Sequence, residues 1–330
     1  MLVRRRRAVR PTLVGAGAKR LIEGDDRIVI TGAGGWLGLA TLEMLSDLLG
    51  EDFRRRVACF GARGRTLKLR GGTQIEQRPI AAMADLAAAP SIVLHLAFIT
   101  QGPAMTLDRA GYIEANLNLS ATVLDVLDRI GARAVFQASS GAVHARDLDG
   151  GPQSKGLYGA LKFIDEAMFA DWATRRSATA VIGRVFNLSG PYINRRSSYA
   201  LSSMIADALS GAPVRVRAAT PVFRSYVAIE ILMGVVLGLL TEPAASVHRF
   251  ETVGGRVVEM GDLARIVAEV LDAPGVDRPV FDSAAPADRY VGDGRAFAAL
   301  ARKYGYLRRS LTTQIRQTAA FMADWPDEAR

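Results

Sequence analysis

Apolar residues run through the first 190 positions in two alternating rhythms. RIVITG (27–32), RRVACFG (55–61), SIVLHLA (91–97), ARAVFQASS (132–140) and ATAVIGRVFNLSG (178–190) are short, nearly continuous apolar runs, the pattern of buried strands. Between them, WLGLATLEMLSDLLG (36–50), YIEANLNLSATVLDVLDRIG (112–131) and LYGALKFIDEAMFADWAT (157–174) carry apolar residues at helical spacing. The first two end at a glycine, a common helix stop. Strands without polar alternation, separated by helices, call for a parallel sheet covered on both faces. Right-handed crossovers then make it doubly wound. The expected fold class is α/β, with this sheet over residues 25–190. After Gly190-Pro191 the rhythm breaks. Segment 194–226 is basic and interrupted, and helical stretches follow at 197–210, 227–240 and 261–275. Residues 191–330 are therefore expected to form mainly a smaller C-terminal substrate-binding lobe, with some segments returning to the large sheet.

Composition changes this picture only at the N-terminus. The chain has 330 residues, a formal charge of +9 and 49% hydrophobic residues, as expected of a globular protein with a sizeable core. Residues 1–20 hold Arg4, Arg5, Arg6, Arg7, Arg10, Lys19 and Arg20 and no acid, so most of the excess charge lies there. The remainder is nearly balanced, and no specific nucleic-acid partner is expected. Residues 1–24 read as a disordered basic leader. The most apolar segment, Ala228 to Leu240, contains Glu230 and is far shorter than the roughly 20 residues a bilayer requires. The leader lacks the long apolar run of a secretory signal, so a cytoplasmic location is expected. One cysteine, Cys59, excludes an intrachain disulfide framework. Three scattered histidines add no metal-ligand spacing, and no metal site is expected.

The first strand runs into TGAGGWLG (31–38). A strand, a glycine-rich turn and a helix together aim backbone N–H groups and the positive end of a helix at one point, which suits a phosphate. Gly32 permits the tight turn, Gly35 the close approach of a pyrophosphate, and Gly38 the packing of helix on strand. Trp36 and Leu37 open the helix and join these glycines as candidate cofactor-binding residues, with the Trp36 ring expected to pack sideways. No G-K-[ST] follows, so this is not a nucleoside-triphosphate loop. A dinucleotide site with a free ribose 2'-hydroxyl usually places a carboxylate at the end of the second strand. Here Gly61 stands there, and Arg63 and Arg65 follow. An arginine in that place suits a 2'-phosphate, which favours NADP(H) over NAD(H).

Tyr158 and Lys162 stand four apart in YGALK, on one face of an amphipathic helix. A neighbouring ammonium lowers a phenol's pKa, so Lys162 can poise Tyr158 to exchange a hydroxyl proton. Lys162 can also hold the ribose of a nicotinamide cofactor. Ser140 closes another apolar strand, where it can donate a hydrogen bond to the same substrate oxygen. The alternative for Ser139-Ser140 is a cap at a strand end.

TGAGGWLG, HLAF (95–98), NLSAT (118–122), SSGAVH (139–144), YGALK and RVFNLSGP (184–191) occur in one order. Together they resemble the extended short-chain dehydrogenase/reductase family, in its NAD(P)-dependent nucleotide-sugar epimerase/dehydratase branch. The resemblance spans about 25–310 and is strongest before 191. It implies a Rossmann-like domain, a Ser140-Tyr158-Lys162 catalytic set, and Ala97 against the cofactor. It further implies a structural role for Asn118, substrate contacts from Asn187, and Arg224 on a nucleotide diphosphate. Asp293 would be structural. The implied activity is NAD(P)-dependent oxidation, reduction or epimerisation at a hydroxyl or keto carbon of a sugar. A reductase or dehydrogenase of a non-nucleotide alcohol, ketone or lactone is the alternative, and a non-catalytic dinucleotide- or polyanion-binding protein a remote one. Gly141 and Ala142 replace the Asp-Glu pair of the dehydratases, which argues against 4,6-dehydration. His144 replaces a common tyrosine and is read as a second acid–base group or, preferably, a shape filler. His95 is expected in the core. The apolar faces of 112–131 and 157–174 are candidates for a homodimer interface.

Overall fold

A computed structural model describes residues 11–100, 107–145 and 155–325. Helix α1 (Gly15–Glu23) precedes strand β1 (Arg27–Thr31). Helix α2 (Trp36–Leu49) and the single helical turn α3 (Phe53–Arg56) lead to β2 (Val57–Gly61), β3 (Arg65–Lys68) and β4 (Gln74–Pro79). The alternation continues through β5 (Ser91–His95), α4 (Arg109–Leu127), β6 (Ala132–Ser140), α5 (Lys155–Arg176) and β7 (Thr179–Val185). Beyond it come β8 (Asn187–Ser189), α6 (Ala200–Leu209), β9 (Val214–Arg215), β10 (Val222–Ala228), α7 (Ile229–Leu240) and β11 (Val247–Glu251). The chain then forms β12 (Val257–Glu259), α8 (Met260–Leu271), β13 (Val276–Asp277), β14 (Asp288–Arg289), α9 (Arg295–Lys303) and α10 (Leu311–Asp324).

Eight strands form the main sheet in the order β11-β7-β6-β5-β1-β2-β4-β3. Every neighbouring pair is parallel except β3 with β4. Strand direction across the sheet explains the continuous apolar runs. In β1, Ile28 and Ile30 enter one core cluster while Val29 between them enters the cluster on the opposite face. Both faces are thus dry, and neither tolerates a polar alternation. Chain order reverses on either side of β1, between β2 and β5. Ligands bind outside the C-terminal strand ends at such a reversal, and the glycine turn sits there.

The second lobe has its own apolar cluster, which includes Ile193, Ile205, Val214, Leu263, Val267 and Ile315. Two later segments return to the large sheet. β11 pairs with β7, and every residue of α7 is buried. A helix apolar on all sides is one covered on all sides, which accounts for the Ala228–Leu240 segment. Glu230 inside it pairs with Arg309 Nε at 2.7 Å. Among the described residues no helix is long and apolar enough to cross a membrane.

The basic leader requires a correction. Positions 1–10 lie outside the described residues, but Gly15–Glu23 is helix, with Ala18 and Leu21 buried. Glycines permit its docking on α7: a Cβ on Gly17 would meet Gly238 Cα at 2.7 Å. Arg20 donates to the Gly238 carbonyl at 2.8 Å and to Thr241 Oγ1 at 3.1 Å, satisfying groups at the C-terminal end of α7. The helix escapes a sequence reading because its partner lies more than 200 positions away.

Candidate active site

Backbone geometry builds the first wall of the site. Gly32 adopts φ +68°, and a Cβ there would lie 2.7 Å from the Ala97 nitrogen. A Cβ on Gly38 would lie 2.3 Å from the Ala33 carbonyl oxygen, so that glycine lets α2 seat on the turn. Gly35 N–H donates to Gly32 O at 2.9 Å and closes the turn. Gly34 N–H is taken by Gln77 Oε1 at 3.0 Å. Gln77 also donates to the Arg63 carbonyl at 2.8 Å. A Cβ on Gly61 would strike this amide at 2.4 Å. Gln77 therefore reaches across the end of β2, the usual place of a ribose-binding carboxylate, and Gly61 makes room for it. It lies on an edge hairpin, 16 positions beyond Gly61, and no local motif marks it.

The glycine turn opens onto a cleft of about 1140 Å³. Gly32, Gly35, Trp36, Leu37, Gly38, Arg63 and Ala97 line it around the glycine turn, and Ser140, Tyr158, Lys162, Asn187 and Arg224 also line it. The cleft thus brings together the twelve residues expected from sequence to bind cofactor or substrate or to catalyse. Its described lining includes the cations Arg63, Arg65, Lys155, Lys162, Arg195 and Arg224 and no carboxylate. Glycines that a Cβ would block and a carboxylate-free cationic wall fit a dinucleotide's pyrophosphate. The Trp36 ring packs sideways as expected, with Nε1 donating to the Pro191 carbonyl at 2.7 Å and the ring 5.5 Å from Tyr199.

β6 delivers Ser140, and α5 delivers Tyr158 and Lys162. Ser140 has both roles considered for it: its Oγ caps the following turn through Ala142 N–H at 3.2 Å, and it faces the cleft. Its Oγ lies 3.1 Å from the Tyr290 hydroxyl. Burial pushes the Tyr158 phenol well above its usual range, and a hydrogen bond with Ser140 opposes the shift. Lys162 is 4% exposed. Its ammonium donates to the Ala138 carbonyl at 2.8 Å and lies 3.7 Å from the centre of the Phe98 ring. Burial lowers its pKa to about 8, against the pull of Asp165 and Glu166. The relief of Tyr158 assigned to Lys162 from spacing thus falls to Ser140 in this geometry.

Several assignments differ in detail. Arg224 lines the cleft but is already engaged: Nη2 pairs with Asp288 at 2.6 Å and Nη1 donates to the Phe223 carbonyl at 2.8 Å. Asn118 lines the cleft, while Asn116 holds the loop after β5, accepting from Ile99 N–H at 2.9 Å and donating to Tyr112 O at 3.0 Å. His144 Nε2 meets Glu251 at 2.6 Å; its ring is half-exposed and does not line the cleft. His95 is buried, with Nδ1 2.9 Å from Thr31 Oγ1. Asp293 binds the backbone and side chain of Arg295. Cys59 is buried, and burial raises its thiol pKa to about 12. Among the described residues no cluster of potential metal ligands occurs. Tyr290 is the principal site residue that sequence reasoning missed, since it arrives from 150 positions beyond Ser140.

A Rossmann-like parallel sheet with a glycine turn at its switch point, and Ser, Tyr and Lys at adjacent strand and helix ends, defines a dinucleotide-dependent oxidoreductase of the short-chain type. The chain matches the NAD dependent epimerase/dehydratase family over residues 28–253, and it belongs to that family. It is therefore an NAD(P)-dependent oxidoreductase or epimerase. Solved structures agree in fold. The UDP-N-acetylglucosamine 4-epimerase of Methanobrevibacter ruminantium M1, in complex with UDP-N-acetylmuramic acid, is 16% identical with a TM-score of 0.69, covering 91% of this chain and 98% of its own. The UDP-glucuronic acid 4-epimerase of Bacillus cereus, in complex with UDP-glucuronic acid and NAD, is 16% identical with a TM-score of 0.64, over 90% and 99%. The UDP-N-acetylglucosamine 4-epimerase of Bacillus cereus is 14% identical with a TM-score of 0.66, over 90% and 99%. No curated protein matches the chain by sequence.

Proposed function

We propose that the protein acts on a hydroxyl or keto carbon of a nucleotide-linked sugar, with Ser140, Tyr158 and Lys162 as its catalytic residues. The observation that carries this reading is their convergence with the glycine turn on one cleft whose described lining is cationic. A dinucleotide and a nucleoside-diphosphate sugar are both anionic, and such a cleft attracts both. Gly32, Gly35 and Gly38 with the first residues of α2, Trp36 and Leu37, hold the pyrophosphate; Ala97 lies against the cofactor. Lys162 holds the nicotinamide ribose, and Asn187 and Arg224 serve the substrate. The nicotinamide, when bound, supplies a hydride acceptor and donor. Tyr158 as phenolate removes the substrate hydroxyl proton while the carbinol carbon gives up hydride, and a C=O bond replaces the O–H and C–H bonds. Ser140 donates to the reacting oxygen. Epimerisation returns hydride to the other face of the same carbon. No carboxylate stands at Gly141 or Ala142, so dehydration is not part of the proposal.

Arg63, which lines the cleft with Arg65, and the absence of an acid at Gly61 favour NADP(H) over NAD(H). Dissociation constants for the two settle the choice: NAD(H) bound tenfold tighter overturns it. The pairing of Arg224 with Asp288 favours a second reading, a reductase of a non-nucleotide alcohol, ketone or lactone. Turnover of a panel of nucleotide sugars against their free sugars, with both cofactors, separates the two. We further propose a cytoplasmic homodimer in which α4 and α5 pair with their copies; Phe163 and Ile164 on α5 are 57% and 41% exposed. Residues 25–190 act as the cofactor domain and 191–330 mainly as the substrate lobe. Tyr158→Phe tests the core of the scheme. Turnover should fall by about 10²–10⁴ with dinucleotide affinity retained, and unchanged turnover overturns the assignment.

A further inference from the structure

Lys162 sits where an ammonium is hard to keep. It is almost wholly buried, and the carbonyl of Ala138 and the face of Phe98 are its near neighbours. Charged groups behind it differ in what they have left to offer. On α5 itself stand Tyr158, Asp165 and Glu166. Glu166 is held by Arg184 of β7 through both oxygens, at 2.9 and 2.8 Å, and accepts from Ser139 of β6. Much of its charge is therefore spent on Arg184, and its pull on Lys162 is smaller than that of Asp165. His95 of β5 is neutral, its pKa lowered to about 3 by burial and by Lys162 itself. Tyr112 of α4 is a buried phenol with its pKa raised by burial to about 12, and carries no charge. Asp165 remains.

Asp165 is 1% exposed. Its Oδ1 accepts from Ser120 Oγ at 2.7 Å. Its Oδ2 lies 4.0 Å from Lys162 Nζ; burial raises the pKa of this carboxyl, and Lys162 together with hydrogen bonds from Ser120 and Gln137 opposes the shift and favours the carboxylate. The spacing of three on one helix fixes the two side chains on a common face. Removing one member of such a buried pair leaves the other without compensation.

We infer that Asp165 is a positioning residue: through Oδ2 it is the countercharge that keeps Lys162 an ammonium, ready for ribose hydroxyls and beside the reacting phenol. This rests on the reading of Ser140, Tyr158 and Lys162 given above. The sign is definite. A carboxylate near an ammonium favours the protonated form, so its loss lets Lys162 shed its proton at lower pH.

The chain has five lysines, few enough for ¹³C-lysine NMR of the full-length protein, with Lys162→Arg to assign the signal. In the wild type Lys162 should titrate near 8. In Asp165→Asn, which keeps the shape and a partner for Ser120, the midpoint should drop by about one unit or more. Dinucleotide affinity measured against pH should weaken at correspondingly lower pH. An unmoved midpoint in Asp165→Asn overturns the inference. If that variant does not fold, Asp165→Ser replaces it. Serine there also removes the carboxylate charge, so the same drop is expected and an unmoved midpoint is equally fatal. Lys162→Met separates this failure from that of the underlying reading. Full turnover without the lysine removes the catalytic assignment whatever Asp165 does.

Discussion

The two ends of the cleft are built on different principles. At the proposed cofactor end, backbone sets the shape, with Gln77 bridging to it from β4. Gly32, Gly35 and Gly38 shape its surface within seven consecutive residues. At the substrate end, side chains are held by other side chains from remote parts of the chain. Arg224 is fixed by Asp288, 64 positions away, and Ser140 by Tyr290, 150 positions away. A backbone cradle has one workable shape, fixed by sterics. A lattice of paired side chains can be retuned one partner at a time. The cofactor end should therefore fail abruptly when altered, and the substrate end gradually.

Of the changes that set the two ends against each other, the largest effect is expected at Gly32. Alanine there combines the left-handed backbone penalty with a Cβ 2.7 Å from the Ala97 nitrogen. Roughly 1–2 kcal/mol for the first and a similar amount for the overlap give about a hundredfold loss of dinucleotide affinity. Isothermal titration of the purified variant measures it. A loss below threefold would mean that the turn yields easily, and the contrast between the two ends would collapse.

This contrast also explains what could be read from the bare chain. The sheet, its helices and the glycine turn are written in local periodicity, and so is the four-residue spacing of Tyr158 and Lys162. Helix α1 was hidden because its amphipathic face answers to α7. Gln77 and Tyr290 were hidden because neither has a local pattern, and only the fold brings them to Gly34 and Ser140. Arg224 was found by resemblance, but Asp288, which decides how much of its guanidinium is available, was not. Asn116 and Asn118 lie two apart, and hydrogen bonding alone reveals which of them pins the loop.

The proposed catalytic residues lie between the two ends and should respond to pH in a defined direction. Burial raises the Tyr158 pKa, so near neutrality the phenol keeps its proton. Oxidation needs that proton gone. Oxidative turnover should therefore climb by up to about tenfold per pH unit through the neutral range. The climb should end as Lys162 loses its own proton near pH 8. Reduction uses the phenol as an acid and should lack this rise. Initial rates in both directions between pH 6 and about 9 provide the check, and parallel profiles would count against Tyr158 as the titrating group.

The smallest effect belongs to the substrate end. Tyr290→Phe removes only the hydroxyl 3.1 Å from Ser140 Oγ, while the ring keeps its packing 4.7 Å from the centre of Phe186. One neutral hydrogen bond is worth about 1 kcal/mol, roughly a fivefold change. Its direction depends on what Tyr290 does when substrate is present. If its hydroxyl holds Ser140 in the orientation that donates to the reacting oxygen, kcat falls about fivefold with KM unchanged. If it competes with substrate for the serine, KM falls instead and kcat holds. Dinucleotide affinity should not move in either case, because nothing at the glycine turn touches Tyr290. A variant that weakened cofactor binding as much as it slowed turnover would show that the two ends of the cleft are mechanically joined, and that the division between a rigid cradle and an adjustable lattice is false.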